Sequence, residues 1–216
     1  MRRLTGLLLA LTTGGGAVAA AQSPRVGLTI RLVDAQGPRA GRQPVVGVVD
    51  LLRDRRWSEA LEQAFPIRLV YRLEIWRSRE GWIDEFQRAT EWSTVIQREP
   101  LQETYRVTDI LQAGASESRF STTAELEAFM ATERQVDVVP RGSGVFYYTI
   151  RVRITALSDE DMDELERFLA GQPSNPGGER SPIARAFRRL FLTMAGLPRE
   201  ELEVRSETFT ISLPPE

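Results

Sequence analysis

The chain has 216 residues, of which 42% are hydrophobic and 27% are charged, a mixture that suits one globular domain. It contains no cysteine, no histidine and no lysine, and its 28 basic residues are all arginine. These absences exclude disulfides, thiolate nucleophiles, histidine bases, Schiff-base lysines and the usual zinc ligands. What remains is carboxylate chemistry or a function without catalysis.

The first residues predict a signal peptide. Arg2 and Arg3 form a short basic region, Leu4 to Thr12 is apolar, and the small residues that follow end in an A-x-A pattern at Ala21. The apolar run is too short to span a bilayer. We therefore expect export to the periplasm or cell surface after cleavage of residues 1–21, with a retained N-terminal anchor as the alternative.

The charge of the mature chain bears on its partners. Without residues 1–21 it keeps 26 arginines against 30 acidic residues, a formal charge of −4 that is spread along the sequence. General nucleic-acid binding needs a basic patch or stripe. We therefore expect no nucleic-acid partner.

Apolar runs predict about eight strands. In chain order they are 26–33, 45–52, 67–77, 88–97, 101–110, 118–121, 145–157 and 202–213. The runs 67–77 and 145–157 alternate apolar and polar residues, so each should have one buried side and one solvent-facing side. Short turns join the early strands, which favours an antiparallel arrangement.

Capping residues and helical spacing predict three or four helices. The predicted helices begin at Asp54 or Ser58, at Thr122 or Thr123, at Ser158 and at Ser181. A proline- and glycine-rich loop at 172–180 separates the last two, and we expect it to be mobile. The predicted fold is β-rich α+β: one domain over 22–216, an antiparallel sandwich-like arrangement with helices covering one side or end.

Carboxylates lie beside tryptophans in the middle of the chain. Asp84 and Glu85 follow Trp82, and Glu91 precedes Trp92. A glycosidase uses a pair of carboxylates to cleave a sugar linkage, so these acids are candidates for carboxylate-dependent glycan hydrolysis. Carbohydrate stacking on the tryptophans and ordinary packing at strand ends are the alternatives.

Arginines recur on the polar sides of the two clearest strands. They are Arg68, Arg72, Arg77, Arg151 and Arg153. If the two strands are neighbours, these side chains would form a guanidinium-rich face suited to carboxylate or phosphate. Acids such as Glu74 would pair with them instead if the face is an ordinary solvated one.

Two further segments have a functional interpretation and a plainer one. Asp159, Asp161 and Asp163 are spaced as in a calcium loop, but no glycine follows and the acids suit the first turn of a helix. We therefore expect no metal and no cofactor. The basic side of the helix over 182–195 would suit a lipid surface, whereas its apolar side would equally suit packing on a sheet.

Several short motifs occur in a fixed order in the middle of the chain. They are Trp57-Ser58-Glu59-Ala60-Leu61, Phe65-Pro66-Ile67, the strand from Leu69 to Arg77, Asp84, and Tyr105-Arg106-Val107. Over roughly Val45 to Leu169 this order resembles a secreted bacterial family catalogued as domain of unknown function number 4390. The resemblance implies export and a mostly β fold. It implies no activity and no site residues.

The sequence as a whole predicts an exported, soluble envelope protein that is a non-catalytic binding or assembly module. Its partner would be an envelope protein or another ligand, and the candidate binding residues are Arg72, Trp76, Trp82 and Asp84. No catalytic residue is predicted. A glycan hydrolase and a peripheral lipid-facing protein that uses the 182–195 helix remain the alternatives.

Overall fold

The computed structural model describes residues 25–34, 42–157 and 198–212. These ranges hold ten strands and two helices. The strands are β1 (Gly27–Asp34), β2 (Arg42–Val49), β3 (Ile67–Ser78), β4 (Glu85–Glu99), β5 (Thr104–Leu111), β6 (Gly114–Phe120), β7 (Arg134–Gln135), β8 (Gly144–Ala156), β9 (Arg199–Arg205) and β10 (Phe209–Ile211). The helices are α1 (Arg55–Glu62) and α2 (Thr123–Met130). Neither helix has the length and hydropathy that a membrane crossing requires.

The strands form two antiparallel sheets. The small sheet has the order β1-β2-β7, and the large sheet has seven strands in which β6, β5, β4, β3 and β8 follow one another. β9 and β10 both pair with the remaining edge of β8. β3 and β8 pair over their full length, from Ile67 opposite Ala156 to Ser78 opposite Val145. This long pair is the centre of the fold.

Period-two burial along β3 and β8 shows which side of the large sheet is inside. The fully buried side chains of the pair include Ile67, Leu69, Leu73, Ile75, Ile150 and Ile154, each at most 1% exposed. Each such side chain stabilises the fold by about 1.5–3 kcal/mol relative to an exposed one. Mainly polar residues occupy the alternate positions, as the sequence predicts for both strands, with Val70, Trp76 and Val145 as apolar exceptions.

The core lies between the inner face of the large sheet and the small sheet. Val46 and Val48 of β2 belong to the same cluster of buried side chains as the β3 and β8 residues. The helices contribute Trp57 from α1 and Leu126 from α2, both 0% exposed. The two sheets and both helices therefore share one hydrophobic core.

Capping residues set the start of both helices. The Asp54 carboxylate accepts a hydrogen bond of 3.1 Å from the Arg56 backbone N–H at the start of α1. At α2, Thr122 and Glu125 form a capping box, in which each side chain accepts from the other residue's backbone N–H. Both helices begin within the segments that the sequence predicts.

The β-rich, antiparallel character predicted from the sequence is confirmed, whereas the helix count is not matched. The described ranges hold two helices, compared with the three or four predicted. The helices predicted from Ser158 and over 182–195, and the loop at 172–180, lie outside the described residues.

Several predicted strand boundaries are wrong: β4, β5 and β6 begin at Glu85, Thr104 and Gly114 rather than at residues 88, 101 and 118. Two further differences have a local reason. β2 begins at Arg42 rather than at residue 45, because its pairing with β1 continues as far as Arg42 opposite Asp34. Pro44 has no N–H to donate, but its carbonyl accepts a hydrogen bond from Val136. The predicted strand 202–213 is two strands, β9 and β10. Between them the Ser206 N–H still donates to the Tyr148 carbonyl at 2.9 Å, but the Tyr148 N–H donates to the Ser206 hydroxyl, so a side chain replaces one of the two backbone acceptors there.

Candidate functional site

Ion pairs cover the middle of the outer face of the large sheet. Arg72 of β3 lies opposite Glu91 of β4 on one side and Arg151 of β8 on the other. The Arg72 guanidinium donates to Glu74 at 2.7 Å and to Glu91 at 2.5 Å. Arg151 in turn pairs with Glu203 of β9 at 2.5 Å. Arg72 and Arg151 are thus neutralised by acids, which fits the solvated-face alternative rather than an anion-binding face.

Aromatic side chains replace the charges toward the end of the sheet where β3 turns into β4. The indole Nε1 of Trp76 donates to Glu74 at 3.1 Å, and the Trp76 ring meets Phe86 edge-on with 5.4 Å between centroids. Tyr147 lies opposite Trp76 on β8. The Arg205 guanidinium sits 3.4 Å above the Tyr147 ring. Such cation–π contacts hold an arginine against an aromatic face.

Asp84 joins this aromatic cluster to the β3–β4 turn. Its carboxylate accepts hydrogen bonds from the Tyr147 hydroxyl at 2.8 Å and from the Arg79 backbone N–H at 3.1 Å. The pKa of Asp84 lies below its ordinary value, first because of the Tyr147 hydrogen bond and then because of the Arg79 N–H. A carboxylate held ionised in this way orders the turn and is unsuited to be a general acid.

The tip of the same hairpin exposes large apolar side chains. Trp82 is 83% exposed and Ile83 is 91% exposed, in a turn in which Gly81 has a φ of 75°. Phe86 and Val145 at the same end of the sheet are 46% and 40% exposed. We call Trp76, Trp82, Ile83, Phe86 and Val145 the hairpin-end surface. It is a set of apolar groups that the fold itself leaves in water.

The four predicted binding residues all lie on the β3–β4 hairpin. Arg72 and Trp76 lie on the outer face and are bridged by Glu74, Asp84 holds the turn, and Trp82 lies at the tip. Sequence reasoning named Glu74 as a partner of the arginines, and the Arg72–Glu74 ion pair agrees with it, but it missed Phe86, Tyr147 and Arg205 as members of this cluster. The alternation of β8 contained a signal for Tyr147, since an inward Tyr148 requires its neighbour to face outward.

The acids proposed for glycan hydrolysis are not arranged as a catalytic pair. Glu91 faces Arg72 and Glu85 faces Arg77, so about 17 Å of strand separates the two carboxylates along β3. Glycosidases need about 5–10 Å between their carboxyl groups. Glu85 forms an ion pair with Arg79. The geometry therefore gives the hydrolase alternative no support.

A second polar cluster lies inside the protein, between the inner face of the large sheet and the small sheet. Thr94 of β4 and Asp109 of β5 lie opposite each other, and the Thr94 hydroxyl donates to Asp109 at 2.5 Å. The Arg134 guanidinium of β7 donates to the other Asp109 oxygen at 2.5 Å. Asp109 is 9% exposed and Thr94 is 4% exposed. The sheets thus enclose the Asp109 carboxylate and the Thr94 hydroxyl, whereas the Arg134 side chain reaches them from the surface and is 37% exposed.

Aromatic and apolar walls complete a cavity of about 220 Å³ beside this pair. Tyr71 and Trp92 lie opposite each other on β3 and β4 and stack with 4.9 Å between centroids and 5° between planes. The pKa of Tyr71 is raised well above its ordinary value by burial, to which the Asp109 carboxylate adds. The remaining lining residues are Val46, Val48, Phe129, Met130, Thr132 and Glu133. Thr132 and Glu133 are exposed, so the cavity opens to solvent beside them.

Sequence reasoning did not find the interior cluster. Asp109 lies two residues after the buried Val107 in β5, so both side chains point to the same face of the sheet. This spacing is the signal that a carboxylate occupies a core position. Among the described residues, no group of three or more acidic side chains is placed to hold a metal ion. The cluster is therefore an arginine–carboxylate pair beside a cavity.

A family model matches residues 46–161, slightly more than half of the chain. The chain belongs to DUF4390. This confirms the resemblance seen in the sequence for the middle of the chain. No curated protein and no solved structure matches the chain. The DUF4390 match begins at Val46 in β2 and includes the whole β3–β4 hairpin and the residues around the interior cavity, but not β1, β9 or β10.

Proposed function

We propose that this DUF4390 protein is an exported, non-catalytic binding or assembly module of the cell envelope. Export rests on the signal-peptide pattern of residues 1–21, with the periplasm or cell surface as the destination. The two helices predicted from Ser158 and over 182–195 are part of the same proposal, as additional covering elements of a sandwich-like domain. The partner is a protein that offers an apolar recess to the hairpin-end surface.

The observation that carries the proposal is the exposure of Trp82 and Ile83 side by side at the hairpin tip. Scattered apolar residues on a surface need no explanation, but adjacent large ones next to further apolar groups mark interaction sites. Tryptophan is also enriched among the residues that dominate binding energy. Burial of Trp82 and Ile83 in a partner would contribute about 1.5–3 kcal/mol for each side chain.

The cluster behind the tip supports a preformed binding surface. The Asp84 carboxylate ties the turn to Tyr147, and Gln87 and Arg141 exchange two hydrogen bonds of 3.2 Å between side chain and backbone. The hairpin is therefore held on a rigid sheet before any partner arrives. Preorganisation reduces the ordering cost that association would otherwise incur.

The test compares three forms of the mature chain, residues 22–216, as bait in an envelope extract of the source organism. The forms are the unaltered chain, Trp82→Ser and Leu101→Ser. Leu101 is the matched control, because it is also an exposed turn residue, at 102% exposure, but lies at the opposite end of β4. Captured proteins are quantified by mass spectrometry.

The proposal predicts at least one protein whose recovery falls tenfold or more with Trp82→Ser and is unchanged with Leu101→Ser. Equal recovery of every protein by all three forms would contradict it. Binding to vesicles of the organism's lipids, lost with Trp82→Ser and with no protein captured, would instead favour a lipid-facing role for this surface.

A further inference from the structure

One edge of the large sheet is open to another strand. β6 is the last strand on its side of that sheet, and among the described strands it pairs with β5 alone. Residues 114–117 and Arg119 are exposed. An edge strand presents a row of unpaired N–H and C=O groups, which is a template for pairing with another chain. β6 is therefore a place where a further strand can add.

β6 has none of the backbone features that usually protect such an edge. Proteins blunt an edge strand with a proline, with a bulge or with a charge that points inward. β6 has no proline, and its register with β5 is uninterrupted over all seven residues. Ser118 lies opposite the buried Val107, so the inward side chains are the uncharged Ser116, Ser118 and Phe120.

The opposite edge of the large sheet is protected by comparison. It consists of two strands, β9 and β10, which residues 206–208 separate. β10 has only three residues, and the acids Glu201 and Glu203 of β9 form ion pairs with Arg151 of β8. A short, interrupted and charged edge is a poor template for a further strand. The contrast indicates that the open edge at β6 has a use.

We propose that β6 pairs antiparallel with β6 of a second copy of this chain, which joins the two large sheets into one. The charges of β6 identify this partner. Glu117 and Arg119 lie on the outer side of the strand with Ser118 between them. When Ser118 faces its own copy in an antiparallel pair, each Glu117 lies opposite an Arg119, and opposite charges in that position attract. In a parallel pair the same register would place like charges together.

Glu117 and Arg119 are available for these contacts. Their side chains are 48% and 55% exposed, and they lie 3.8 Å apart within one copy. Arg119 is also 3.5 Å from Glu99, which keeps Arg106 at 3.3 Å as a second partner. These distances are longer than the 2.5 Å of the Arg72–Glu91 pair on the same face. Re-pairing across the dimer would therefore give up only weak contacts.

The dimer has a two-fold axis perpendicular to the joined sheet, because identical antiparallel strands are related in this way. The strands of the two copies then run in opposite directions. The two hairpin-end surfaces consequently lie at opposite ends of one continuous outer face. If that surface binds a partner as proposed above, the dimer would hold two copies of the partner, although the β6 pairing itself does not depend on that proposal.

The first test is sedimentation equilibrium of the mature chain. We expect a dimer with a Kd on the order of 10–100 µM, because seven residues of strand pairing form a small interface. Arg119→Glu and Glu117→Arg each place like charges opposite each other, so each should weaken the dimer at least tenfold. A mixture of the two variants should recover the affinity of the unaltered chain, since an acidic strand then meets a basic one.

Two control variants locate the interface. Arg55→Glu reverses an arginine of α1 that is 80% exposed and should leave the dimer unchanged. Trp82→Ser should also leave it unchanged, so the β6 proposal and the hairpin-end proposal can fail separately. A monomer throughout the concentration range, a dimer that the single charge reversals do not weaken, or single variants that do not combine when mixed would each overturn the proposal. Loss of the dimer with Trp82→Ser would overturn it as well.

Hydrogen exchange of the unaltered chain gives a test that needs no variant. Backbone N–H groups of β6 that point away from β5 should exchange more slowly at a concentration well above the Kd than at one well below it. The N–H groups of β9, at the far edge, should exchange equally at both concentrations. Equal exchange of the β6 groups at both concentrations would contradict the pairing.

Discussion

Asp109 and Arg134 are 25 residues apart in the chain and meet at 2.5 Å between the two sheets. The carboxylate belongs to β5 of the large sheet, and the guanidinium belongs to β7, whose partner in the small sheet is β2. The pair therefore connects the two sheets through a charged contact, where the surrounding contacts are apolar. Charge pairs in such positions add little net stability, because the cost of desolvating the charges offsets much of their attraction.

Removal of both partners of this pair should cost less than the sum of the two single removals. Asp109→Ala removes the anion from the Arg134 guanidinium, which keeps access to solvent at 37% exposure, and leaves the buried Thr94 hydroxyl without its acceptor, so we expect a loss of about 1–2 kcal/mol in the free energy of unfolding. Asp109→Ala combined with Arg134→Met should lose less than the sum of the single changes by about 1–3 kcal/mol. Urea unfolding of the four forms measures this coupling.

The control for that cycle is the exposed pair Glu117 and Arg119, which lie 3.8 Å apart on β6. Exposed ion pairs contribute about 0–1 kcal/mol. We expect Glu117→Ala to change the free energy of unfolding by less than about 0.5 kcal/mol. A loss for Asp109→Ala as small as this would show that the interior pair is solvated rather than enclosed.

Asp54 should make the stability of the fold depend on pH in the acid range. Its carboxylate caps α1 and accepts from the Arg56 guanidinium at 2.6 Å, and the Arg56 side chain is the first cause of its lowered pKa. Because the folded state lowers the pKa, the unfolded state binds the proton more readily. The contribution is therefore complete above the ordinary aspartate pKa of about 4 and is lost as pH falls through the folded value.

The variant Asp54→Asn tests this pH dependence, because asparagine is also a good cap but carries no charge. We expect it to lower the free energy of unfolding by about 1 kcal/mol at pH 7 and by much less at pH 2. Unfolding curves at both values give the difference. The same loss at both values would show that the effect does not come from the charge of Asp54 and its ion pair with Arg56.

Gly144 should tolerate a side chain less well than Gly81. Gly144 has a φ of 142°, and a Cβ there would lie 2.8 Å from Nε of Arg77. Gly81 has a φ of 75° and nothing within 4 Å of such a Cβ. We expect Gly144→Ala to cost about 2–3 kcal/mol and Gly81→Ala about 1 kcal/mol. Thermal unfolding of the two variants compares them, and a larger loss for Gly81→Ala would contradict the account of strain at Gly144.

The sequence was sufficient for the central strands because local pattern and burial agree there. β3 alternates from Ile67 to Ile75 and β8 from Tyr148 to Ala156, so their inner and outer faces follow from the residues alone over these spans. The N-cap residues Asp54 and Thr122 likewise predicted where α1 and α2 begin, because one side chain accepts a hydrogen bond from a free backbone N–H of the first helical turn. These features depend on neighbours in the chain.

The missed features depend on neighbours in space. β7 has two residues and no apolar pattern, and it exists because Val45 and Val46 of β2 offer it a free edge. Tyr71, Trp92 and Asp109 meet at the cavity because β3, β4 and β5 are neighbours in the large sheet. Periodicity alone does not predict which strands are neighbours. Among the predicted site residues, Trp76 and Asp84 belong to one cluster only because β8 places Tyr147 beside them.

Trp82→Ser should leave the fold unchanged while it removes binding. The side chain is 83% exposed, so it contributes little burial to the folded state. Surface substitutions of this kind change stability by about 0.5 kcal/mol or less. Urea midpoints of Trp82→Ser and of the control Leu101→Ser should both lie close to that of the unaltered chain. A large loss for Trp82→Ser would indicate that the residue packs in the fold.

Site-specific photo-cross-linking in living cells tests the proposed function most directly. A photoreactive amino acid is placed at position 82 in one form and at the control position 101 in another. The account predicts that position 82 forms a covalent adduct with one envelope protein and that position 101 does not. Adducts of equal yield at both positions, or none at position 82 while the protein is exported and folded, would contradict it.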